Sequence, residues 1–480
     1  MSRPPNQPNR PARPLYNGAQ GRSRPPATEG SNPSPRPRPR ANPGVAKLQP
    51  DSLAWAIKTA ATCVTDVVAF GRSLTTVLAG LRQQVLPANA VRAQAVDLTY
   101  ATLRRFSRGD VALSLLLDRP TAEDELRSLL RVALCWLEMH PEKSHVGVDQ
   151  AVEAAATLSG GRYRGFVNAI LRRALRERAT LDAAIAADAE ARFQHPAWWL
   201  QRLQADWPDQ WQAIVDGGNR KPPMGLRVNQ LHAGTHTYRQ QLVDAGIALA
   251  SAQPDDPPTA ILLEQPQPAE TLPGFPQGFV SVQDLGAQQA ASLLAVAPGM
   301  RVLDACAAPG GKAAHLLESA AIELTAVESD PDRCAALTRA LDAGRFPPDR
   351  TINVICADAT QTQAAWAKRP FDAILLDAPC SGSGVVGRHP DAKWLRRPED
   401  IDALGRTQSR LLRALWPLLK PGGHLLYGTC SVFAQENQQQ IERFLQETKD
   451  ARLQRQLQLA PDARHDGFYY ALLCKETAAQ

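Results

Sequence analysis

The sequence predicts an α/β chain: an all-helical domain, then a small α/β module, then a doubly wound, mostly parallel sheet. Three observations carry that expectation. Apolar residues recur at helical spacing from about residue 51 to 190; short apolar runs alternate with amphipathic stretches from about residue 276; and a mixed interval with prolines and acids separates the two regimes.

Residues 1–50 hold 13 of the 39 prolines, in runs such as Pro35-Arg36-Pro37-Arg38-Pro39-Arg40. Such a segment cannot bury enough apolar surface to fold alone, so it reads as a disordered Pro/Arg-rich tail. It is either a loose RNA- or ribosome-binding arm or a solubilising extension. In residues 51–190, Leu74, Val77, Leu78 and Leu81 fall at i, i+3, i+4 and i+7, one face of a helix. Arg162, Arg164, Arg172, Arg173, Arg176 and Arg178 crowd one stretch there beside a single acid, Glu177. They are either a solvated helix face or contacts to an RNA backbone.

Residues 191–275 read as the small α/β module, with a strand over residues 224–229 and a helix over residues 235–245. In residues 276–480 the strand candidates are Arg301–Ala305, Leu324–Glu328, Thr351–Cys356, Phe371–Asp377 and His424–Thr429. Helices intervene, one of them predicted over Gln408–Leu419. Strand–helix alternation implies a parallel sheet, whose ligands bind at the carboxyl ends of the strands.

Composition narrows the function classes. The chain has 480 residues, enough for two or three domains, and no apolar run approaches a membrane span. Its N-terminus lacks a secretory h-region, so a cytoplasmic protein is expected. The eight cysteines, at 63, 135, 306, 334, 356, 380, 430 and 474, are too few for a disulfide scaffold. None forms a C-x-x-C pair, so no metal is expected. Of 54 basic and 48 acidic residues, residues 1–50 hold nine and one, which leaves 45 and 47 for the rest. The folded part is therefore not basic on average, and nucleic-acid binding must rest on local patches or on the tail.

Three motifs carry the chemistry. The first, Asp304-Ala305-Cys306-Ala307-Ala308-Pro309-Gly310-Gly311-Lys312, runs from a strand through a glycine turn, which lets a ligand approach the backbone closely. Glu328 ends the next strand, 17 residues after Gly311, near the offset at which an acid grips a ribose hydroxyl. With neither a G-x-G-x-x-G nor a Walker motif, an adenosine ligand without an extended phosphate arm fits better than a dinucleotide or ATP. The second, Asp377-Ala378-Pro379-Cys380-Ser381, and the third, Thr429-Cys430-Ser431, each end an apolar strand. Two cysteines and a carboxylate thus share the ligand-binding edge of one sheet.

These motifs resemble the RNA cytosine-C5 methyltransferase family. Phe166-Val167-Asn168-Ala169-Ile170-Leu171-Arg172-Arg173 and His389-Pro390-Asp391-Ala392-Lys393-Trp394 resemble its bacterial 16S ribosomal RNA branch, whose helical N-terminal domain is similar to the antitermination factor NusB. The resemblance spans roughly residues 51–480 and leaves out the tail. It implies a Rossmann-like S-adenosylmethionine-dependent domain acting on 16S ribosomal RNA, as a monomer without metal or membrane. It implies further that residues 306–312 line the S-adenosylmethionine pocket and that Glu328 holds the ribose, where the family usually has Asp. Asp358 would lie near the adenine, and Asp377 would border both cofactor and cytosine. Cys430 would be the nucleophile and Cys380 would assist release.

The chemistry wants such residues. C5 of cytosine is a poor nucleophile, and a thiolate adding to C6 turns it into an enamine carbon. An acid near N3 supports the charge of the adduct, and Cys380 or a bound water then removes the C5 proton. The base must leave any stack, so a loop or opened hairpin is the natural substrate. Two rivals remain in view: a DNA cytosine methyltransferase, which would use the Pro-Cys cysteine as nucleophile, and a non-catalytic RNA-binding or antitermination factor. The joint presence of Lys312, Asp377, Cys380 and Cys430 argues against the second.

Overall fold

The computed structural model describes residues 48–83, 89–119, 121 and 123–477. All but the last three residues of the Pro/Arg-rich stretch lie outside them. The chain divides into two compact units, the first ending at Ile185 and the second beginning at Ala186.

The first unit is helical throughout. Its helices run over Leu53–Val68, Leu74–Gln83, Asn89–Arg104, Phe106–Leu116, Asp124–Met139, Ser144–Ala155 and Arg164–Arg176, and another starts at Arg178. Ser52 caps the first helix by accepting from the Trp55 amide. Ala54, Ala56, Ala60 and Ala61 of that helix are fully buried, and such small side chains let neighbouring helices approach closely. Gly147 marks the tightest approach: a Cβ there would stand 2.3 Å from the Trp136 ring. Leu74, Val77, Leu78 and Leu81 are all buried, as their spacing predicts. The arginine cluster is partly spent on local pairs, Arg162 with Glu123, Arg173 with Glu177 and Arg178 with Asp182. Arg164, Arg172 and Arg176 are exposed and make no ion pair among the described residues.

The second unit holds two sheets. In the smaller, β1 (Met224–Val228) lies between β2 (Ala260–Leu263) and β3 (Val280–Val282), antiparallel to both. The helix Thr235–Asp244 packs Tyr238 and Leu242 into its core. The larger contains β4 (Arg301–Ala305), β5 (Glu323–Glu328), β6 (Thr351–Cys356), β7 (Phe371–Asp377), β8 (Leu419–Thr429), β9 (Ala451–Leu459) and β10 (Phe468–Lys475). Their order is β6-β5-β4-β7-β8-β10-β9, parallel from β6 to β8, with β10 antiparallel to β8 and β9. The chain steps outward from β4 to β6 and then returns to β7 on the other side. The carboxyl ends of β4 and β7 therefore flank the switch point, where such sheets bind ligands.

The fold class is the one the sequence predicts, with one local correction. The helix predicted over Gln408–Leu419 instead spans Pro398–Leu415, a 3-10 turn covers Trp416–Leu418, and Leu419 already pairs with Phe371 in the sheet. Pro417 causes this, since it lacks an amide hydrogen and its ring clashes with the preceding turn of an α-helix. Strands β9 and β10 lie outside the strand candidates read from the sequence. The helices Ala197–Asp206 and Trp211–Asn219 bury Trp199, Leu203 and Ile214 against Val386 and Phe433 of the larger sheet's loops and Ile401 of the helix Pro398–Leu415. Trp207 donates from Nε1 to the Val432 carbonyl at 2.7 Å, and the Ala434 amide donates to Asp206 at 2.9 Å. They thus brace the chain just beyond Cys430. Among the described residues no helix is long and apolar enough to cross a membrane.

One buried ion pair joins the two sheets. Arg227 of β1 forks onto Glu318 at 2.7 and 2.8 Å, and its NH1 donates to the Gly311 carbonyl at 2.7 Å. Removing one partner leaves the other charge buried and uncompensated. Arg227→Met is expected to lower the free energy of unfolding of the second unit by about 3–5 kcal/mol in urea denaturation, and adding Glu318→Leu should recover most of the loss. Equal stability of the single variant and the unaltered protein would remove the pair from the interface.

Candidate active site

The turn after β4 is shaped for close approach. Cys306 adopts a φ of +63°, a left-handed conformation that costs a non-glycine residue about 1–3 kcal/mol and concentrates at functional sites. The Ala308–Pro309 bond is cis. Gly310, at φ +102°, begins the helix Gly311–Ser319, and a Cβ on it would press on Leu337 and Ala340 at 3.1 and 3.2 Å. Ala307, Ala308 and Gly310 are buried while Pro309 and Gly311 face outward. The Ala307 amide donates to Val327 of β5 at 3.0 Å, which ties the turn to the neighbouring strand.

Three carboxylates surround this turn. Asp304 is fully buried, and neither of its side-chain oxygens accepts a hydrogen bond among the described residues. Burial, with the charge of Asp377 added, pushes its carboxyl well above the usual range, and Lys312 opposes the shift. Glu328, at the end of β5, is 2% exposed. Its Oε1 accepts from the Asp330 amide at 3.1 Å, while Oε2 accepts no hydrogen bond and lies 3.4 Å from Arg333. Asp377, at the end of β7, pairs with Lys312 at 2.7 Å. Burial works to lower the Lys312 ammonium, but Asp377 outweighs it and raises the group. Lys312 also sits 5.6 Å over the Phe468 ring of β10. Cys306 is pushed up to about 12 by burial and then by these carboxylates, so it remains a thiol.

A site with three acids, one lysine and unpaired buried oxygens suits a ligand that is cationic and carries hydroxyl donors; phosphate would meet repulsion. S-adenosylmethionine has a sulfonium, an ammonium and a ribose diol, so the residues fit it.

The second cluster lies at the ends of the adjacent strands β7 and β8. The sulfurs of Cys380 and Cys430 are 3.2 Å apart. The hydrogen bond to Cys430, then burial, raises the Cys380 thiol well above its ordinary value. The two sulfurs share one hydrogen-bonding contact, in which either can be the donor. The Cys430 carbonyl is held by the Gly384 amide at 2.9 Å, and Gly384 in turn abuts Gly467 so closely that a Cβ would fall 2.2 Å from its carbonyl oxygen.

The structure thus gathers residues 306–312, Glu328 and Asp377 around one turn, and Cys380 with Cys430 beside it. Asp358 stands apart: it is exposed beyond β6, and its Oδ1 accepts from the amide and hydroxyl of Thr360 at 2.9 and 2.8 Å. Two groups in the cluster were not singled out by the sequence reading. Asp304 sat inside the first motif with no role attached, because only burial reveals that its carboxyl is unpaired. Glu436, six residues after Cys430 in a polar run, gave no signal at all; folded, it has no exposed surface and joins both cysteine loops.

Comparison with known proteins agrees with this architecture. Residues 291–474 match the family model described as 16S rRNA methyltransferase RsmB/F, residues 195–270 the RsmF/B-like ferredoxin-like domain, and residues 58–176 the NusB family. A Ribosomal RNA small subunit methyltransferase B from Vibrio cholerae serotype O1 is 41% identical over 428 residues, which cover 87% of this chain and 96% of the relative. Its counterpart from Xanthomonas campestris pv. campestris is 44% identical over 402 residues, covering 80% and 89%. Among solved structures, PH0851 superposes with a TM-score of 0.71 at 22% identity over 87% of this chain and 99% of its own. A methyltransferase homolog protein from Pyrococcus horikoshii gives 0.52 at 23% identity, over 60% and 97%. At these identities the structures speak to fold alone, but the sequence relatives decide the family: the chain belongs to the ribosomal RNA small subunit methyltransferase B family.

Proposed function

We propose that this chain methylates C5 of a cytosine in 16S ribosomal RNA, with S-adenosylmethionine as donor and Cys430 as covalent catalyst. The observation that carries the reading is the pair of sulfurs 3.2 Å apart, at the ends of adjacent strands and beside the Lys312–Asp377 ion pair. The relatives' names supply the ribosomal RNA substrate. When bound, S-adenosylmethionine supplies a methyl group on a sulfonium. Asp377 offers negative charge to such a cation, the unpaired oxygens of Asp304 lie beside it, and Glu328 Oε2 offers an acceptor to a ribose hydroxyl.

Cys430 Sγ adds to C6 of the cytosine, forming the C–S bond as the C5–C6 double-bond electrons move toward N3. Asp377 lies where an acid can support charge near N3, with Lys312 fixing its orientation. C5 is then an enamine carbon, able to accept a methyl group. Cys380 stands in hydrogen-bonding contact with the Cys430 sulfur before attack. After transfer, Cys380 or a bound water takes the C5 proton, and the C–S bond breaks to release the product. We assign RNA recognition to the helical residues 51–190, through the unpaired Arg164, Arg172 and Arg176. Residues 191–275 serve as a bridging module, and catalysis belongs to residues 276–480. Asp358 remains our proposed neighbour of the adenine.

Glu328→Ala is expected to weaken S-adenosylmethionine binding by about 1–3 kcal/mol, the cost of leaving buried polar groups unpaired. Titration calorimetry showing unchanged affinity would remove Glu328 from the site.

The two cysteines should fail in opposite ways. Cys430→Ala cannot form the C6 adduct, so it should lose turnover and yield no covalent RNA complex while still binding the methyl donor. Cys380→Ala can still attack, and should accumulate an enzyme–RNA adduct that survives denaturing electrophoresis. A stalled adduct in Cys430→Ala and none in Cys380→Ala would reverse the roles and revive the DNA-enzyme-like mechanism.

A further inference from the structure

We propose that Glu436 is a positioning residue for the reaction: its buried carboxylate fixes the spacing of Cys380 and Cys430 by anchoring both loops that carry them. The inference rests on the reading of Cys430 as nucleophile. The sheet itself does not set this spacing. The β7–β8 ladder ends at Asp377 and Gly428, with a last bond from the Ala378 amide to the Gly428 carbonyl at 2.8 Å. Both cysteines lie beyond it, on loops joined farther along by the Gly384 amide on the Cys430 carbonyl at 2.9 Å and by Ser383, which contacts the Ser431 hydroxyl and the Val432 amide at 2.9 Å each.

Each cysteine is followed by a serine, and both serines converge on Glu436. Oε1 accepts from the Ser381 amide at 2.8 Å and from Gln408 at 3.1 Å. Oε2 accepts from the Ser381 and Ser431 hydroxyls at 2.5 and 2.6 Å. The Ser381 oxygen also accepts from the Ser383 amide at 3.2 Å, and the Ser431 oxygen from the Phe433 amide at 3.0 Å. The Ser431 hydroxyl lies 2.9 Å from the Ser383 hydroxyl as well. A carboxylate only accepts, so each of its two short contacts takes its proton from a serine. Glu436 is itself held by a bond from the Tyr427 hydroxyl to its carbonyl at 2.7 Å. The neighbouring Asn437 accepts from Thr429 at 2.6 Å and donates to the Ser431 carbonyl at 2.9 Å.

All four donors are neutral, and among the described residues no cation pairs with this carboxylate. Such an arrangement is a poor device for stability and a good one for geometry, because a fully satisfied buried network admits one arrangement of the groups it joins. The carboxylate touches neither sulfur, and acts only through the two serines. Its charge also adds to the influences that keep Cys380 a thiol.

The test uses the full chain and two kinds of readout. One is turnover on an unmodified 16S ribosomal RNA transcript, with KM and methyl-donor affinity measured alongside. The other needs neither RNA nor donor: hydrogen peroxide joins the two thiols, one peroxide giving one disulfide and two waters, and mass spectrometry follows the Cys380–Cys430 peptide. In Glu436→Ala we expect kcat to fall about 100-fold with KM and donor affinity kept, and disulfide formation to slow about tenfold, as loosened loops lose their alignment. Glu436→Gln keeps the acceptor for Ser381 N and Gln408, and should recover part of both. Wild-type disulfide rates in Glu436→Ala would overturn the proposal, as would a kcat loss explained by unfolded protein alone. If Glu436→Ala does not fold, Ser381→Ala/Ser431→Ala carries the same test, because it removes both hydroxyl contacts and leaves the carboxylate. A Cys380→Ala protein that forms no Cys430 adduct with RNA would instead refute the proposed reaction, and would leave the disulfide comparison standing.

Discussion

The contact between Lys312 and Asp377 is the constraint on which the rest of the site depends. Among the described residues it is the one ion pair that binds the chain after β4 to the end of β7. Three carboxylates crowd this switch point, and mutual repulsion in a partly dry site would drive them apart or protonate them. One ammonium pairs with Asp377, while burial and the charge of Asp377 push the Asp304 carboxyl well above its ordinary range. The remaining negative character is what makes the turn receptive to a cationic ligand and unreceptive to phosphate.

Around that centre the molecule is braced from several directions. Arg227 reaches from the small sheet to the Gly311 carbonyl and to Glu318, so the helix that begins at the glycine turn is held at both its first residue and its last turn. The helices at 197–219 press on the chain beyond Cys430 through Trp207 and Asp206. Arg388 bridges Asp284 at 2.9 Å and pairs with Asp466, which locks the loop after Cys380 to the hairpin leading into β10. The sulfurs can thus stand 3.2 Å apart on loops that no strand pairing controls. Loops supply the reactive groups, and rigid elements packed behind them supply the precision.

The helical unit presents a different kind of surface. Its arginine cluster divides between residues engaged with nearby acids and residues that face solvent unpaired. The second class is the one able to meet an RNA backbone without first breaking an ion pair. That division follows from helix geometry: Arg173 and Glu177, and Arg178 and Asp182, fall four residues apart on one face, whereas Arg172 and Arg176 have no acid at that spacing.

Local pattern determined a good deal. Apolar runs delimit the strands β4 and β7 at their observed limits, because a buried parallel strand is a continuous apolar segment that needs no distant partner to be recognised; the half-exposed edge strand β6 is delimited by its alternating pattern. Cys306–Lys312, Glu328, Asp377, Cys380 and Cys430 were legible because each follows the end of such a strand, and the doubly wound topology sends all those ends to one edge. What the sequence could not contain was burial and direction. Asp304 and Glu436 look like ordinary acids until packing removes their water; one is then left unpaired and the other becomes the shared acceptor for two loops 50 residues apart. Likewise Cys380 and Cys430 stand 50 residues apart in the chain, and only folding brings their sulfurs into contact. Those distinctions depend on desolvation and on angles between groups far apart in sequence, which tertiary packing alone decides.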